Sequence, residues 1–119
     1  TMSDIYEIKA AILGCKENCS LPIFVTMTFD ESGKLLTGGT VAAAVAMCEA
    51  LGVEAVGFNC GLGPEQVQKL LPEMLAGCNL PIITNPNAGL PVVENGRTFF
   101  KVTPQEFADC QITNFQNLL

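Results

Sequence analysis

Ile5, Ile8, Ile12 and Leu13 recur at helical spacing and predict a helix over residues 3–18. Ser3 or Asp4 caps it, and Glu7 falls where a capping box places an acid. After a turn at Asn18–Pro22 the pattern changes. The run Ile23-Phe24-Val25-Thr26-Met27-Thr28-Phe29 is short, β-branched and mostly apolar. It predicts a strand covered on both faces, as in a parallel sheet. Asp30–Gly39 is a polar loop. Residues 40–51 predict a second helix, with Thr40 as cap and Val41, Ala44, Val45 and Cys48 turned inward; Gly52 ends it. Residues 53–59 form a second strand. Pro64 opens a helix over 64–76, with Val67, Leu70, Leu71 and Leu75 on one face. Pro72 inside it predicts a kink or a split, and Gly77 a stop. Residues 81–85 form a third strand. Asn95-Gly96 is a hairpin turn signal between Val92-Val93 and Thr98-Phe99-Phe100. Thr103-Pro104-Gln105-Glu106 starts a last helix over 104–110 or further. Residues 111–119 carry no clear pattern and read as an irregular tail.

The order α-βα-βα-β-α predicts one α/β domain over 1–119, with three parallel strands joined by right-handed crossovers. All three strands then end on one side. Their ends bring together Thr28-Phe29-Asp30, Asn59-Cys60 and Asn85-Pro86-Asn87. Open α/β proteins and barrels alike place their chemistry at such carboxyl ends.

Composition narrows what that chemistry can be. The 119 residues are 49% hydrophobic and 15% charged, enough apolar content for a core. A net charge of −6 without a Lys/Arg cluster argues against nucleic-acid partners. No apolar run approaches membrane-spanning length, and the first residues do not form a secretion signal. Thr1 before Met2 resembles the remnant of an expression tag. The chain has no histidine, which excludes Ser-His-Asp and Cys-His pairs and His-ligated metals. The six cysteines include no Cys-x-x-Cys pair, and in a chain of this kind they are expected to be reduced and cytoplasmic.

Cys60 stands out. A lone cysteine is most often a buried structural thiol. This one follows a strand, adjoins Asn59, and has Gly61 and Gly63 leaving the backbone open around it. Gly61-Leu62-Gly63 does not extend to a dinucleotide fingerprint, and no phosphate-binding loop motif occurs. Asn85 and Asn87 around Pro86 are ordinary turn residues as well as candidate ligands. Asp30 reads as a loop residue at the active end of its strand.

Gly57-Phe58-Asn59-Cys60-Gly61-Leu62-Gly63-Pro64 followed by Pro86-Asn87-Ala88-Gly89-Leu90-Pro91 resembles the homocysteine S-methyltransferases, in particular the homocysteine-binding domain of the cobalamin-dependent members. The loop from Phe29 to Gly38 resembles that family too, and the likeness runs over residues 4–110. The resemblance implies a (β/α)8 barrel, of which this chain matches the fifth to seventh strands. It implies a zinc ion held by three thiolates, with Cys60 matching one of them. The other two belong to an adjacent Cys-Cys pair, which these 119 residues lack. It implies homocysteine as the substrate. Asn87 would lie beside it, Asn59, Thr28 and Asp30 would be further substrate-binding residues, and cobalamin or another methyl donor would come from a partner domain. The expectation is a segment of a methyltransferase, inactive alone, that self-associates or docks with the missing barrel segments. It would arise by truncation, proteolysis or a natural shortening. A non-enzymatic binding or oligomerisation module and an unrelated flavodoxin-like domain are the rival readings.

Overall fold

The computed structural model describes residues 1–116. In chain order the elements are α1 (Ile5–Asn18), β1 (Phe24–Met27), α2 (Val41–Ala50), β2 (Ala55–Asn59), α3 (Pro64–Ala76), β3 (Ile82–Asn85), β4 (Pro91–Glu94), β5 (Arg97–Phe100) and α4 (Pro104–Gln116). The caps act as side-chain chemistry dictates. Asp4 accepts from the Tyr6 and Glu7 amides at the start of α1, and Thr40 accepts from the Ala43 amide at the start of α2.

β1, β2 and β3 form a parallel sheet in that sequential order, and β4 and β5 form a separate antiparallel hairpin. The hairpin turn has Asn95 at φ 50° and Gly96 at φ 72°, the left-handed pair that Asn-Gly favours.

Register divides the sheet into two unlike faces, because paired residues of neighbouring strands share a face. Val25, Val56 and Ile82 line up on one face, as do Met27 and Phe58. These pack with Ile8 and Ile12 of α1, Val45 and Cys48 of α2, and Val67, Leu71 and Met74 of α3 in one core. Phe29 adds an edge-on contact to Phe58, with ring centroids 5.5 Å apart. The opposite face carries Phe24, Thr26, Gly57, Asn59, Ile83 and Asn85, all outside that core. Phe24 is 66% exposed. The expectation that the first strand is covered on both faces is therefore corrected: the helices packed on the sheet lie on one side. A sequentially ordered sheet with one-sided helices also differs from a flavodoxin-like sheet, which carries helices on both faces.

Two further expectations change. α3 runs as one helix through Pro72, which is exposed, so the expected split does not occur. The tail drawn at 111–119 is helical over residues 111–116; residues 117–119 lie outside the described residues. Gln111 on that added helical turn sends its amide to the Thr84 hydroxyl at 3.0 Å and the Thr84 carbonyl at 3.5 Å, tying α4 to β3.

Candidate functional site at the strand ends

β1, β2 and β3 deliver Thr28, Asn59-Cys60 and Asn85-Pro86-Asn87 to one end of the sheet. β2 stops because the chain turns sharply. Cys60 sits at φ 62° and Gly61 at φ 70°. The Leu62 amide reaches back to the Cys60 carbonyl at 2.7 Å, closing a tight three-residue turn centred on Gly61. A left-handed backbone is ordinary for Gly61. For a cysteine it costs on the order of 1 kcal/mol and persists only where neighbours enforce it.

Those neighbours are identifiable. The Cys60 amide donates to the Asn85 carbonyl at 3.1 Å. The Thr28 hydroxyl donates to the Asn59 carbonyl at 3.0 Å. Asn85 Nδ2 donates to Asn59 Oδ1 at 2.9 Å, and Asn59 Nδ2 donates to Thr1 Oγ1 at 2.9 Å. The Asn87 amide N–H donates to the Leu62 carbonyl at 2.8 Å, and Asn87 Nδ2 points at Cys60 Sγ from 3.7 Å. Close glycine contacts bring the loops together. A Cβ at Gly63 would stand 2.7 Å from Gly89 Cα, and one at Gly61 would stand 2.8 Å from Thr28 Cγ2.

Cys60 is an exposed residue. Cys48 differs: it is fully buried, and burial, followed by the nearby Cys78, pushes its thiol up to about 11. Cys15 and Cys19 are exposed on and just beyond the last turn of α1, away from the strand ends.

Asp30 lies beyond β1 in a loop that uses its carboxylate. Oδ1 accepts from the Lys34 amide, the Ser32 amide and the Ser32 hydroxyl. These bonds, the Lys34 amide foremost, hold the carboxyl below its ordinary value. The structure thus gathers Thr28, Asn59, Cys60 and Asn87 around one turn, and Asp30 shapes the adjoining loop. Asn85, which the sequence offered as a turn residue and a candidate ligand, joins the network. Its signal was available in register: equal counting from the two strand ends pairs Asn59 with Asn85.

Among the described residues, no three of His, Cys, Asp or Glu gather as a metal-holding group. Cys60 and Asn87 supply one thiol and one amide, short of the three protein ligands that a catalytic zinc takes. The described residues do not make a zinc site by themselves. No described helix is long and apolar enough to cross a membrane.

A family model described as homocysteine S-methyltransferase matches residues 1–116. Methionine synthase from Mycobacterium leprae (strain TN) is 33% identical over 114 residues, which cover 92% of this chain and 10% of that protein. Methionine synthase from Mycobacterium tuberculosis (strain ATCC 25618 / H37Rv) is 32% identical over 114 residues with the same coverage. The chain thus spans about a tenth of the length of these curated relatives.

Proposed function

The chain belongs to the homocysteine S-methyltransferase family, and on that premise we propose that its strand ends form one sector of a homocysteine-binding site within a longer methyltransferase. Thr28, Asn59 and Asn87 line this sector, and Asp30 frames its rim. Cys60 contributes one thiolate to a zinc site whose other ligands come from outside these residues. The observation that carries this reading is the Cys60 turn. An exposed cysteine is held on a left-handed backbone, with an amide from a second strand end directed at its sulfur.

In the reaction the homocysteine thiol gives up its proton to solvent. Its sulfur then forms the new bond to the methyl group as the donor's bond to that group breaks. The part played by this chain is to bind and orient. Asn87 directs its amide at the Cys60 sulfur, and Asn59 offers its amide at the neighbouring strand end. Methyl-cobalamin or another donor is brought by a partner domain, and the reaction belongs in the cytoplasm.

The sheet is read as three consecutive strands of a (β/α)8 barrel, matching the fifth to seventh. Sequential parallel order, helices on one side, and an opposite face ending in Asn59 and Asn85 support this. The barrel's remaining strands would cover that face and the two sheet edges in the longer protein. The isolated chain covers them by self-association.

The test is Cys60→Ser in the longer protein. Loss of homocysteine methylation together with a drop in bound zinc is expected. Retention of both would overturn the assignment. A second reading, a non-enzymatic binding or oligomerisation module, draws on the absence of a metal-holding group among the described residues. For the isolated chain the two readings together predict neither stoichiometric zinc nor turnover. Calorimetric titration with homocysteine then reads out any binding that the module keeps.

A further inference from the structure

We propose that Asn85 is a positioning residue for Cys60, a role that rests on the reading of Cys60 as part of the homocysteine site. Asn85 grips the turn at two points. Its carbonyl accepts the Cys60 amide at 3.1 Å, and its side-chain amide donates to Asn59 Oδ1 at 2.9 Å. The residue carrying the sulfur and the residue before it are thus both tied to the last residue of β3.

The sequence makes Asn85 a firm anchor. Pro86 follows it, and a residue before proline is restricted to extended backbone, so the Asn85 carbonyl stays in line with the sheet. Pro86 is itself buried. One residue further, Asn87 directs its amide at Cys60 Sγ. The Asn-Pro-Asn run therefore holds the backbone nitrogen of Cys60 at one end and faces its sulfur at the other.

The side-chain bond also has chemical content. With Oδ1 of Asn59 occupied by Asn85, the remaining end of the Asn59 amide is its NH2 group, which here donates to a hydroxyl oxygen. Asn85 thereby takes one of the two acceptor positions of Asn59 Oδ1 and turns its NH2 group toward the open face, where it can donate to a carboxylate or other oxygen acceptor. The structure assigns Asn85 to fixing which end of Asn59 a ligand meets.

The experiment compares the 119-residue chain with Asn85→Ala and with the isosteric Asn85→Asp, which places an acceptor opposite Asn59 Oδ1. Three readouts are taken: alkylation of each cysteine by iodoacetamide with peptide mass mapping, hydrogen exchange at the Cys60 amide, and the Asn59 side-chain NH2 resonances. Both variants are expected to speed alkylation at Cys60 and exchange at its amide by about threefold or more. Both should also shift the Asn59 resonances, with Cys15 and Cys19 unchanged as internal references and little movement of the urea midpoint. Unchanged behaviour at Cys60 and Asn59 overturns the proposal. So does a fall in the urea midpoint accompanied by equal acceleration at buried Cys48, since that marks general loosening. The family reading is checked separately by Cys60→Ser in the longer protein. If that variant is inactive while Asn85→Ala leaves Cys60 untouched, only the positioning role falls. If Asn85→Ala acts as expected while Cys60→Ser still methylates homocysteine, only the substrate assignment falls.

Discussion

At the scale of single residues, the candidate site is a balance between a strained backbone and the bonds that hold it. Gly61 tolerates φ 70°, and its missing Cβ leaves room for Thr28 Cγ2 and the Phe29 carbonyl, 2.8 and 2.9 Å from where that atom would stand. Gly61→Ala therefore adds both left-handed strain and a clash, and is expected to destabilise the chain by about 1–3 kcal/mol, read as a lower urea midpoint. The thiols should separate by environment. At about pH 8 the exposed Cys60 is expected to alkylate, while Cys48, with its thiol raised to about 11 by burial, resists until the chain unfolds. Peptide mapping after mild alkylation checks this, and early labelling of Cys48 would contradict the packed core around it. The identities of Thr28, Asn59, Cys60 and Asn87 were legible in the sequence as residues at strand ends. The left-handed backbone of Cys60 was not. Local preference places glycine there, and the tight turn bond from Leu62 and the tertiary bond to Asn85 together reverse it.

At the scale of elements, the helices and strands followed from caps and periodicity because those signals are local. Thr40, Pro64 and Asn95-Gly96 each did what their chemistry favours. Where the reading failed, the deciding forces were not local. Pro72 stays within α3 because Leu71 and Met74 on either side of it are buried and hold the helix against the sheet. Residues 111–116 extend α4 although their composition is polar, and Gln111 on that extension bonds Thr84 across the fold. The polarity of residues 111–116 hid this, since a contact to β3 cannot be read from helical periodicity. Acid sensitivity also belongs to the elements. Asp4 caps α1 and is held below its ordinary 3.8 by the Thr37 hydroxyl first, then by the Glu7 and Tyr6 amides. Glu106 at the start of α4 is lowered in the same way by Thr103. A depressed carboxylate adds stability above its unfolded value and loses it as pH falls through the folded one. The urea midpoint should therefore decline as pH drops below about 4. Asp4→Asn should flatten part of that decline while lowering the midpoint at neutral pH. The strictest requirement within an element is at Gly57, where a Cβ would stand 1.9 Å from the Ile83 carbonyl oxygen in the middle of the β2–β3 ladder. Gly57→Ala should separate β2 from β3, giving a chain without a cooperative unfolding transition; a folded variant with an unchanged midpoint would contradict this register.

At the scale of the whole molecule, the sheet is finished on one face only. The helix side is a continuous core, while the other face presents Phe24 at 66% exposure beside Thr26 and Ile83. The edges are only partly closed: Met2 bridges to Met27 outside β1, and Gln111 reaches Thr84 on β3. The one-sidedness could not be read from the strands, because their short apolar runs suit a sheet covered on both faces equally well; only register sorts Val25, Met27, Val56 and Phe58 from Phe24, Thr26 and Gly57. A mixed sheet face that leaves Phe24 exposed lowers its free energy by finding a cover, and an unpaired strand edge is a template for another copy. The isolated chain, 12.6 kDa, is therefore expected to elute as a dimer or larger species in size-exclusion chromatography with light scattering. Phe24→Ser removes the largest exposed apolar side chain on that face without touching the core, so it should shift the population toward monomer and leave the far-ultraviolet circular dichroism unchanged. A monodisperse monomer from the unmodified chain would show that the bare face needs no cover, and would remove the physical reason for placing further strands against it.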